Sequence, residues 1–310
     1  MAHLFGPVPS RRLGRSLGVD LIPPKTCTYD CIYCEVGPTT CRSQERFSYQ
    51  TEAIIEEMAK YLKNQGARPD VITLAGSGEP TLNLGLGRII REIKAMSPIS
   101  VAVLTNGALL YDPEVRRELA AADIVLPSLD AAREETYRTI NRPLPELSLD
   151  SLLDGLMSFR REYRGQIWLE VMLLKGLNDT EAELTLLRRA LEKIAPDKIQ
   201  LNTAVRPVVD DAARPLDQAE MEAAAATLGG PVEVIASFSR ADIAGSPRQD
   251  DDLVEMLSRR PMTAPDLAQA LGLPLVQIVA RLKRLQDSGR ISHDRYHNEE
   301  FYRSSEIGAA

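Results

Sequence analysis

Short β-branched apolar segments alternate with longer amphipathic segments over most of this 310-residue chain. Such alternation is typical of parallel strands joined by helices. The pattern predicts six strands, at residues 16–22, 70–75, 99–105, 123–129, 167–174 and 197–203. Helices are predicted at 51–64, 86–96, 113–121, 149–163, 181–195 and 217–228. Because six β/α repeats are fewer than the eight of a closed barrel, we expect an α/β fold with a partial (β/α)6 TIM-like barrel.

A different pattern follows this region. Residues 237–252 combine Ser, Gly, Pro, Arg and three consecutive aspartates, which predicts a linker. Three short helices at 253–259, 265–271 and 274–288 and two strands within 291–302 are expected after it. This arrangement is similar to a winged helix-turn-helix. We therefore predict a barrel domain at 1–236, a linker at 237–252 and a small winged helix-turn-helix-like domain at 253–304.

Composition narrows the possible functions. No apolar run approaches the roughly 18 residues that span a bilayer, and the first residues lack the layout of a secretory signal, so a cytoplasmic protein is expected. The net charge of −7 gives no general attraction for a phosphate backbone. The only histidines are His3, His293 and His297. This distribution excludes histidine-based zinc hydrolysis and a serine-histidine triad in the predicted barrel.

All four cysteines lie within 15 residues, which is more typical of metal or redox chemistry than of a disulfide framework. Cys27, Cys31 and Cys34 follow the first predicted strand with the spacing C-x3-C-x2-C. Three thiolates at this spacing can hold three irons of a [4Fe-4S] cluster and leave the fourth iron open to another ligand. The alternatives are chance clustering and a structural zinc, although zinc normally has four ligands at a different spacing.

The cysteine spacing resembles that of the radical S-adenosylmethionine superfamily, in which the cofactor binds the open iron and its reductive cleavage yields a 5′-deoxyadenosyl radical. The resemblance covers about residues 16–235. It implies two cofactors, a [4Fe-4S] cluster and S-adenosyl-L-methionine, and a reductant such as flavodoxin or ferredoxin as a partner. The implied metal ligands are Cys27, Cys31 and Cys34.

The resemblance also implies a set of cofactor-binding residues, mostly at the ends of predicted strands. Residues 76–80, with the sequence GSGEP, resemble the Gly-Gly-Glu-Pro element whose backbone carbonyls receive the cofactor's ammonium group. Ser77 departs from that pattern. The implied residues are Tyr33, Gly78, Glu79, Pro80, Thr105, Asn106, Ser128 and Asp130. Turn chemistry is the alternative for the last four, because Asn-Gly and Ser-x-Asp both favour loops.

Several polar residues keep two interpretations. Glu170, Asn202 and Arg206 are expected either to pair within the protein or to face a substrate in the barrel. The basic group Arg11, Arg12 and Arg15 could bind phosphate or carboxylate, or could pair with acidic residues. Cys41 is expected to be a free thiol, with a substrate-radical or proton-donor role as the alternative.

Residues 5–20 (FGPVPSRRLGRSLGVD) and 27–35 (CTYDCIYCE) resemble a bacterial and archaeal branch of the superfamily that is grouped with the tRNA wybutosine synthase. This chain lacks the extra cysteines with which that synthase holds a second cluster. The branch suggests RNA as the substrate, and a peptide, protein or small molecule is the alternative.

The predicted C-terminal domain offers limited support for nucleic-acid binding. Nine basic and nine acidic residues cancel over 248–304. Arg281, Lys283, Arg284 and Arg290 nevertheless lie on or after the helix that enters a groove in winged-helix proteins. A function of another class, an iron-sulfur transcription regulator, would need neither the long β/α region nor the Gly-Glu-Pro element. No catalytic side chain and no oligomeric state follow from the sequence.

Overall fold

The computed structural model describes residues 3–10, 12–63, 68–235, 250–297 and 299–305. Its strands, in chain order, are β1 (Leu4–Ser10), β2 (Gly14–Asp20), β3 (Thr26–Cys27), β4 (Cys41–Arg42), β5 (Val71–Ala75), β6 (Ser100–Thr105), β7 (Ile124–Pro127), β8 (Gln166–Leu173), β9 (Lys198–Thr203), β10 (Val232–Val234), β11 (Met262–Thr263), β12 (Ile291–Tyr296) and β13 (Glu299–Ser304).

The α-helices, in chain order, are α1 (Thr51–Lys63), α2 (Leu86–Met96), α3 (Pro113–Leu119), α4 (Glu134–Asn141), α5 (Leu149–Glu162), α6 (Glu181–Ile194), α7 (Gln218–Leu228), α8 (Asp250–Arg259), α9 (Ala264–Leu271) and α10 (Leu275–Asp287). A short 3-10 turn spans Pro80–Leu82. Within the described ranges, no helix is long and apolar enough to cross a membrane.

The main sheet has the strand order β1-β2-β5-β6-β7-β8-β9-β10. All neighbouring strands run parallel except the antiparallel pair β1/β2. The six predicted strands correspond to β2 and β5–β9, with ends shifted by at most two residues. The predicted α/β fold with a mostly parallel sheet is therefore confirmed. Its parallel strands bring their carboxyl ends to one edge.

Sequence patterning missed β1, β10 and α4, and also the two-residue strands β3 and β4. β1 contains Pro7 and Pro9, which argue against a central strand but are tolerated at the sheet edge that β1 occupies. β10 is only three residues long. α4 is only eight residues long and mostly polar (EETYRTIN), with Tyr137 and Ile140 as its buried apolar side chains.

Helices cover one face of the sheet and form the main core with it. Ile72 and Leu74 of β5 are fully buried in one cluster with Ile90 of α2 and Phe159 of α5. Alternate residues of the strands point to the opposite, concave side, where Thr73 of β5 contacts Ser16 of β2 through a 2.6 Å hydroxyl pair. This second face therefore carries polar side chains.

The C-terminal module, residues 250–305, contains α8–α10 and an antiparallel sheet of order β11-β13-β12. α8 begins at Asp250, so the last three residues of the predicted linker are helical. The remainder of that linker lies outside the described residues. β11 adds a strand to the two that were predicted. The winged helix-turn-helix classification and the domain boundaries stay predictions.

One apolar cluster joins the C-terminal module to the barrel. Leu257 of α8 is fully buried together with Leu267 and Ile278, and Val8 of β1 belongs to the same cluster. Burying a leucine side chain contributes about 1.5–3 kcal/mol. The module therefore packs on the edge strand of the main sheet.

Leu257→Ala should lower the free energy of unfolding by about 2–5 kcal/mol, because it leaves a cavity in this shared cluster. Leu275→Ala is a matched control, since Leu275 lies in the same module with its side chain 48% exposed. Denaturant unfolding of both variants checks the prediction. Equal stability of the two variants would contradict the described packing.

Candidate cofactor site

Cys27, Cys31 and Cys34 line one cavity of about 310 Å³ at the carboxyl ends of the parallel strands. The same cavity is bordered by residues in or just after successive strands of the sheet: Gly76, Gly78, Glu79, Pro80, Thr105, Asn106, Ser128, Asp130, Glu170, Met172 and Asn202. All the residues implied as cofactor contacts by the sequence resemblance, including Tyr33, thus lie on this one cavity. Their individual roles stay predictions.

N–H groups point at the three sulfur atoms. Cys27 Sγ accepts from the backbone N of Tyr29 and from Asn106 Nδ2, each at 3.5 Å. Cys31 Sγ lies 3.6 Å from Asn141 Nδ2. The backbone N–H groups of Val36 and Gly37 donate to the thiol of Cys34. Such donors stabilise sulfur in its thiolate form, the form that ligates metal.

Burial raises the pKa of all three thiols, to about 12 for Cys27, where the nearby charge of Glu79 adds to the effect. Binding a metal centre must therefore displace their protons. Within the described residues, no three His, Cys, Asp or Glu side chains converge on the position of a single metal ion. Thiols spaced around one cavity suit the separate corners of an iron-sulfur cluster better than a mononuclear zinc.

Cys41 lies apart from this group. It is exposed and belongs to β4, which pairs in parallel with β3. It is not among the residues that border the cavity. Cys41 is therefore a surface thiol in this structure, as the first of its two interpretations predicts.

The loop 76–80 packs directly on the backbone that leads into Cys27. Glu79 N donates to Thr26 O over 3.0 Å, and Lys25 N donates to Ser77 O over 2.5 Å. A Cβ atom on Gly78 would lie 2.1 Å from Thr26 O, which no real contact allows. Glycine at 78 is therefore what lets this loop and the cysteine segment approach so closely.

The buried carboxylate of Glu79 joins two strand-end loops. Its Oε1 accepts from the hydroxyls of Thr81 and Thr105, both at 2.6 Å, and its Oε2 accepts from Asn106 N at 2.8 Å. Burial raises the pKa of Glu79, and these donors oppose the rise. Asn106 is thereby fixed with its side-chain amide 2.7 Å from Thr28 Oγ1 and beside Cys27. Glu79 and Thr105 thus hold Asn106 in place beside the cysteine segment.

Asp130 joins another group of elements in the same way. Its Oδ2 accepts from Tyr33 Oη at 2.5 Å and from Asn141 Nδ2 at 2.6 Å, and its Oδ1 accepts from Met172 N at 2.8 Å. Burial raises its pKa to about 6 despite these donors. Asn141 is a site residue that sequence reasoning missed, because α4, which ends at Asn141, was not predicted.

The cavity wall also contains charged side chains that pair with one another. Arg12 forms an ion pair with Glu170, and Asn202 Nδ2 donates to the same carboxylate over 3.1 Å. Arg206 donates to Glu35 over 2.9 Å. Each of Glu170, Asn202 and Arg206 has a protein partner and also borders the cavity, so pairing is observed, and contact with a substrate stays a prediction.

The other two basic residues of the N-terminal group lie elsewhere. Arg15 pairs with Asp70 at 3.4 Å, away from the cavity, which favours the pairing interpretation for this residue. Arg11 lies outside the described residues.

The fold and the cavity define an α/β protein with three thiols grouped at the carboxyl edge of a parallel sheet. Residues 21–188, more than half of the chain, match the Radical SAM superfamily model. The chain belongs to this superfamily. Enzymes of the superfamily bind a [4Fe-4S] cluster and S-adenosylmethionine, so the predicted enzyme class and both predicted cofactors are confirmed.

Curated relatives share long stretches of sequence. A protein of Brachyspira hyodysenteriae named GTPase Obg is 39% identical over 94% of this chain and 44% of its own length. A UPF0026 protein of Helicobacter pylori is 34% identical over 85% of this chain and 86% of its own length. The chain therefore also belongs to the UPF0026 family, while it spans less than half of the Brachyspira protein.

Solved structures share the fold at low sequence identity. A radical SAM methyltransferase from Sphaerobacter thermophilus superposes with a TM-score of 0.53 at 19% identity, over 74% of this chain and 68% of the other. TYW1 with a lysine-pyruvate adduct bound gives a TM-score of 0.48 at 16% identity, over 97% of this chain and 83% of the other. The likeness to the Sphaerobacter structure supports the fold of this chain and says nothing about its reaction.

Gly78→Ala should prevent normal cluster loading, because the added methyl group would force loop 76–80 away from Thr26 and shift the segment that carries Cys27. Iron content and visible absorbance after anaerobic reconstitution check this prediction. Gly229→Ala is the control: its Cβ would meet nothing within 4 Å, although its φ of +63° costs about 1–2 kcal/mol. Full cluster loading by Gly78→Ala would show that the close approach is dispensable.

Proposed function

We propose that this protein generates a 5′-deoxyadenosyl radical from S-adenosylmethionine at a [4Fe-4S] cluster and uses it to abstract hydrogen from a substrate. In this proposal Cys27, Cys31 and Cys34 ligate the cluster. The observation that carries the proposal is the grouping of these three thiols, each with an N–H donor, on one cavity at the carboxyl edge of the sheet.

The other residues of the cavity would seat the cofactor and leave the chemistry to it. The backbone of Gly78, Glu79 and Pro80 would face the cofactor's amino group. Tyr33 and Ser128 border the same space. The side chains of Glu79 and Asp130 are saturated by protein donors, so their role would be to hold Thr105, Asn106 and Tyr33 in place.

A [4Fe-4S] cluster held by Cys27, Cys31 and Cys34 would supply the one electron that cleaves S-adenosylmethionine into methionine and a 5′-deoxyadenosyl radical, which would take a hydrogen atom from the substrate and become 5′-deoxyadenosine. The electron would come from a reductant such as flavodoxin or ferredoxin. The protein's own contribution is to enclose this space and exclude water and oxygen.

RNA is the first choice of substrate from the sequence. Lys283, Arg284 and Arg290 are exposed on or after α10, in line with contact to a phosphate backbone.

Two observations favour the alternative of a peptide, protein or small molecule. Arg281 and Arg284 face Asp250 at 3.8 and 3.6 Å, which offsets part of their charge.

The second observation in favour of a peptide, protein or small molecule concerns the N-terminal half of α10. Leu275, Val276 and Val279 are 48–75% exposed there, next to one another on the helix. Apolar side chains at these positions suit a protein or peptide partner better than phosphate. The cavity does not support the alternative of a transcription regulator, because a redox sensor needs no space for a cofactor beside its cluster.

Cys31→Ala should abolish 5′-deoxyadenosine formation by the anaerobically reconstituted protein in the presence of a strong reductant and S-adenosylmethionine. Cys41→Ala should retain both the activity and the wild-type content of about four irons per chain, because its thiol lies outside the cavity. Equal loss in both variants would contradict the assignment of ligands.

The same assay separates the substrate classes. RNA fractions, peptide mixtures and small-molecule extracts are added in turn, and the rate of 5′-deoxyadenosine formation is measured. Stimulation by RNA alone would support the first choice, and stimulation by another fraction would replace it. Tight binding of a DNA fragment without S-adenosylmethionine, together with no 5′-deoxyadenosine, would favour the regulator.

A further inference from the structure

The C-terminal module contacts the barrel beside loop 76–80. Arg259, the last residue of α8, donates from Nε to Asp20 Oδ2 over 2.7 Å. The two side chains are only 12% and 16% exposed. The guanidinium also lies 4.4 Å from the centroid of the Phe5 ring. Arg259 is thereby held between β1 and the end of β2.

Asp20 also bonds to loop 76–80. Its second carboxylate oxygen, Oδ1, accepts from Ser77 N over 3.2 Å. Gly76 lies so close that a Cβ there would be 2.3 Å from Asp20 Oδ1. Ser77 O in turn accepts from Lys25 N, two residues before Cys27. A continuous path of polar contacts therefore leads from α8 through Asp20 and Ser77 to the cysteine segment.

The charge of Arg259 stabilises the buried carboxylate of Asp20. Burial raises the pKa of Asp20, and the charge of Arg259 is the largest effect that opposes the rise. A buried carboxylate that loses its counter-charge is strongly disfavoured and turns towards water or takes a proton. Either change weakens its hold on Ser77 N–H.

The end of α8 also borders the site itself. A second cavity of about 240 Å³ is lined by Gly76 and Ser77 on one side and by Arg259 and Arg260 on the other. Arg260 borders the cysteine-lined cavity as well. The module is thus part of the wall around the proposed cofactor loop.

We propose that Arg259 is a positioning residue for loop 76–80, so that docking of the C-terminal module sets the affinity of the protein for S-adenosylmethionine. This inference rests on the proposed function, in which the loop receives the cofactor's amino group. It gives the module a role in cofactor binding that is independent of what its outer surface recognises.

The test compares Arg259→Met, Arg259→Lys and Arg116→Met. Arg116 is a matched control, because its side chain is 11% exposed and pairs with Glu162 at 2.8 Å, away from either cavity. The dissociation constant for S-adenosylmethionine is measured by equilibrium dialysis of the reconstituted protein. Hydrogen exchange of the peptide that contains Ser77 is measured in the absence of cofactor.

Arg259→Met should weaken binding about tenfold, within the 5–150-fold range typical of coupling between sites, and should speed exchange at Ser77. Arg259→Lys should restore part of both, since a lysine keeps the charge without the planar guanidinium. Arg116→Met should change neither. Wild-type affinity and exchange in Arg259→Met would overturn the inference.

Two further comparisons keep the test decisive. If Arg259→Met does not fold, Asp20→Asn removes the charge pair while it keeps an oxygen for Ser77 N–H, and a weaker effect of the same sign is expected. No change in either readout for Asp20→Asn would overturn the inference. If the wild-type protein carries its cluster and still does not bind S-adenosylmethionine, the proposed function fails, and hydrogen exchange alone then decides whether Arg259 positions the loop.

Discussion

Two buried carboxylates hold the functional edge of this sheet together. Glu79, in the loop after β5, bonds to the end of the neighbouring strand β6, and Asp130 bonds to the cysteine loop, to α4 and to β8. Each is expensive to bury and is retained because every oxygen is satisfied by donors from different elements. Parallel strands only bring their ends near one another, whereas these hydrogen bonds set the distances between them. The grouping of Cys27, Cys31 and Cys34 on one cavity depends on that framework.

The C-terminal module extends the framework beyond the sheet. Val8 of β1 enters the apolar cluster around Leu257, and Arg259 pairs with Asp20 at the carboxyl end of β2. The edge strand β1 thus serves both as a cover for β2 and as a platform for the module. The Radical SAM superfamily model covers residues 21–188, and Arg259 lies far outside that range. In the proposed role of Arg259, docking of the module supports cofactor binding whatever the outer surface of the module recognises.

The sequence predicted the repetitive part of the molecule better than its junctions. The strands β2 and β5–β9 follow from apolar periodicity, and the cysteine spacing pointed to the site because cluster ligation restricts residue type and separation. β1 was missed because its prolines suit an edge that a local pattern cannot reveal. α4 was missed because it is short and mostly polar, and Asn141 was missed with it. The ion pairs of Arg12 with Glu170 and Arg259 with Asp20 join residues more than 150 positions apart, and single-sequence patterns do not contain such pairings.

The central claim is that an iron-sulfur cluster on Cys27, Cys31 and Cys34 keeps one iron open for S-adenosylmethionine in this cavity. Electron paramagnetic resonance of the reduced, reconstituted protein, recorded with and without S-adenosylmethionine, tests it most directly. Cofactor binding at the open iron changes the environment of the cluster, so a shift in the g values is expected on addition. Identical spectra at saturating cofactor, from a protein with a fully loaded cluster, would contradict the account.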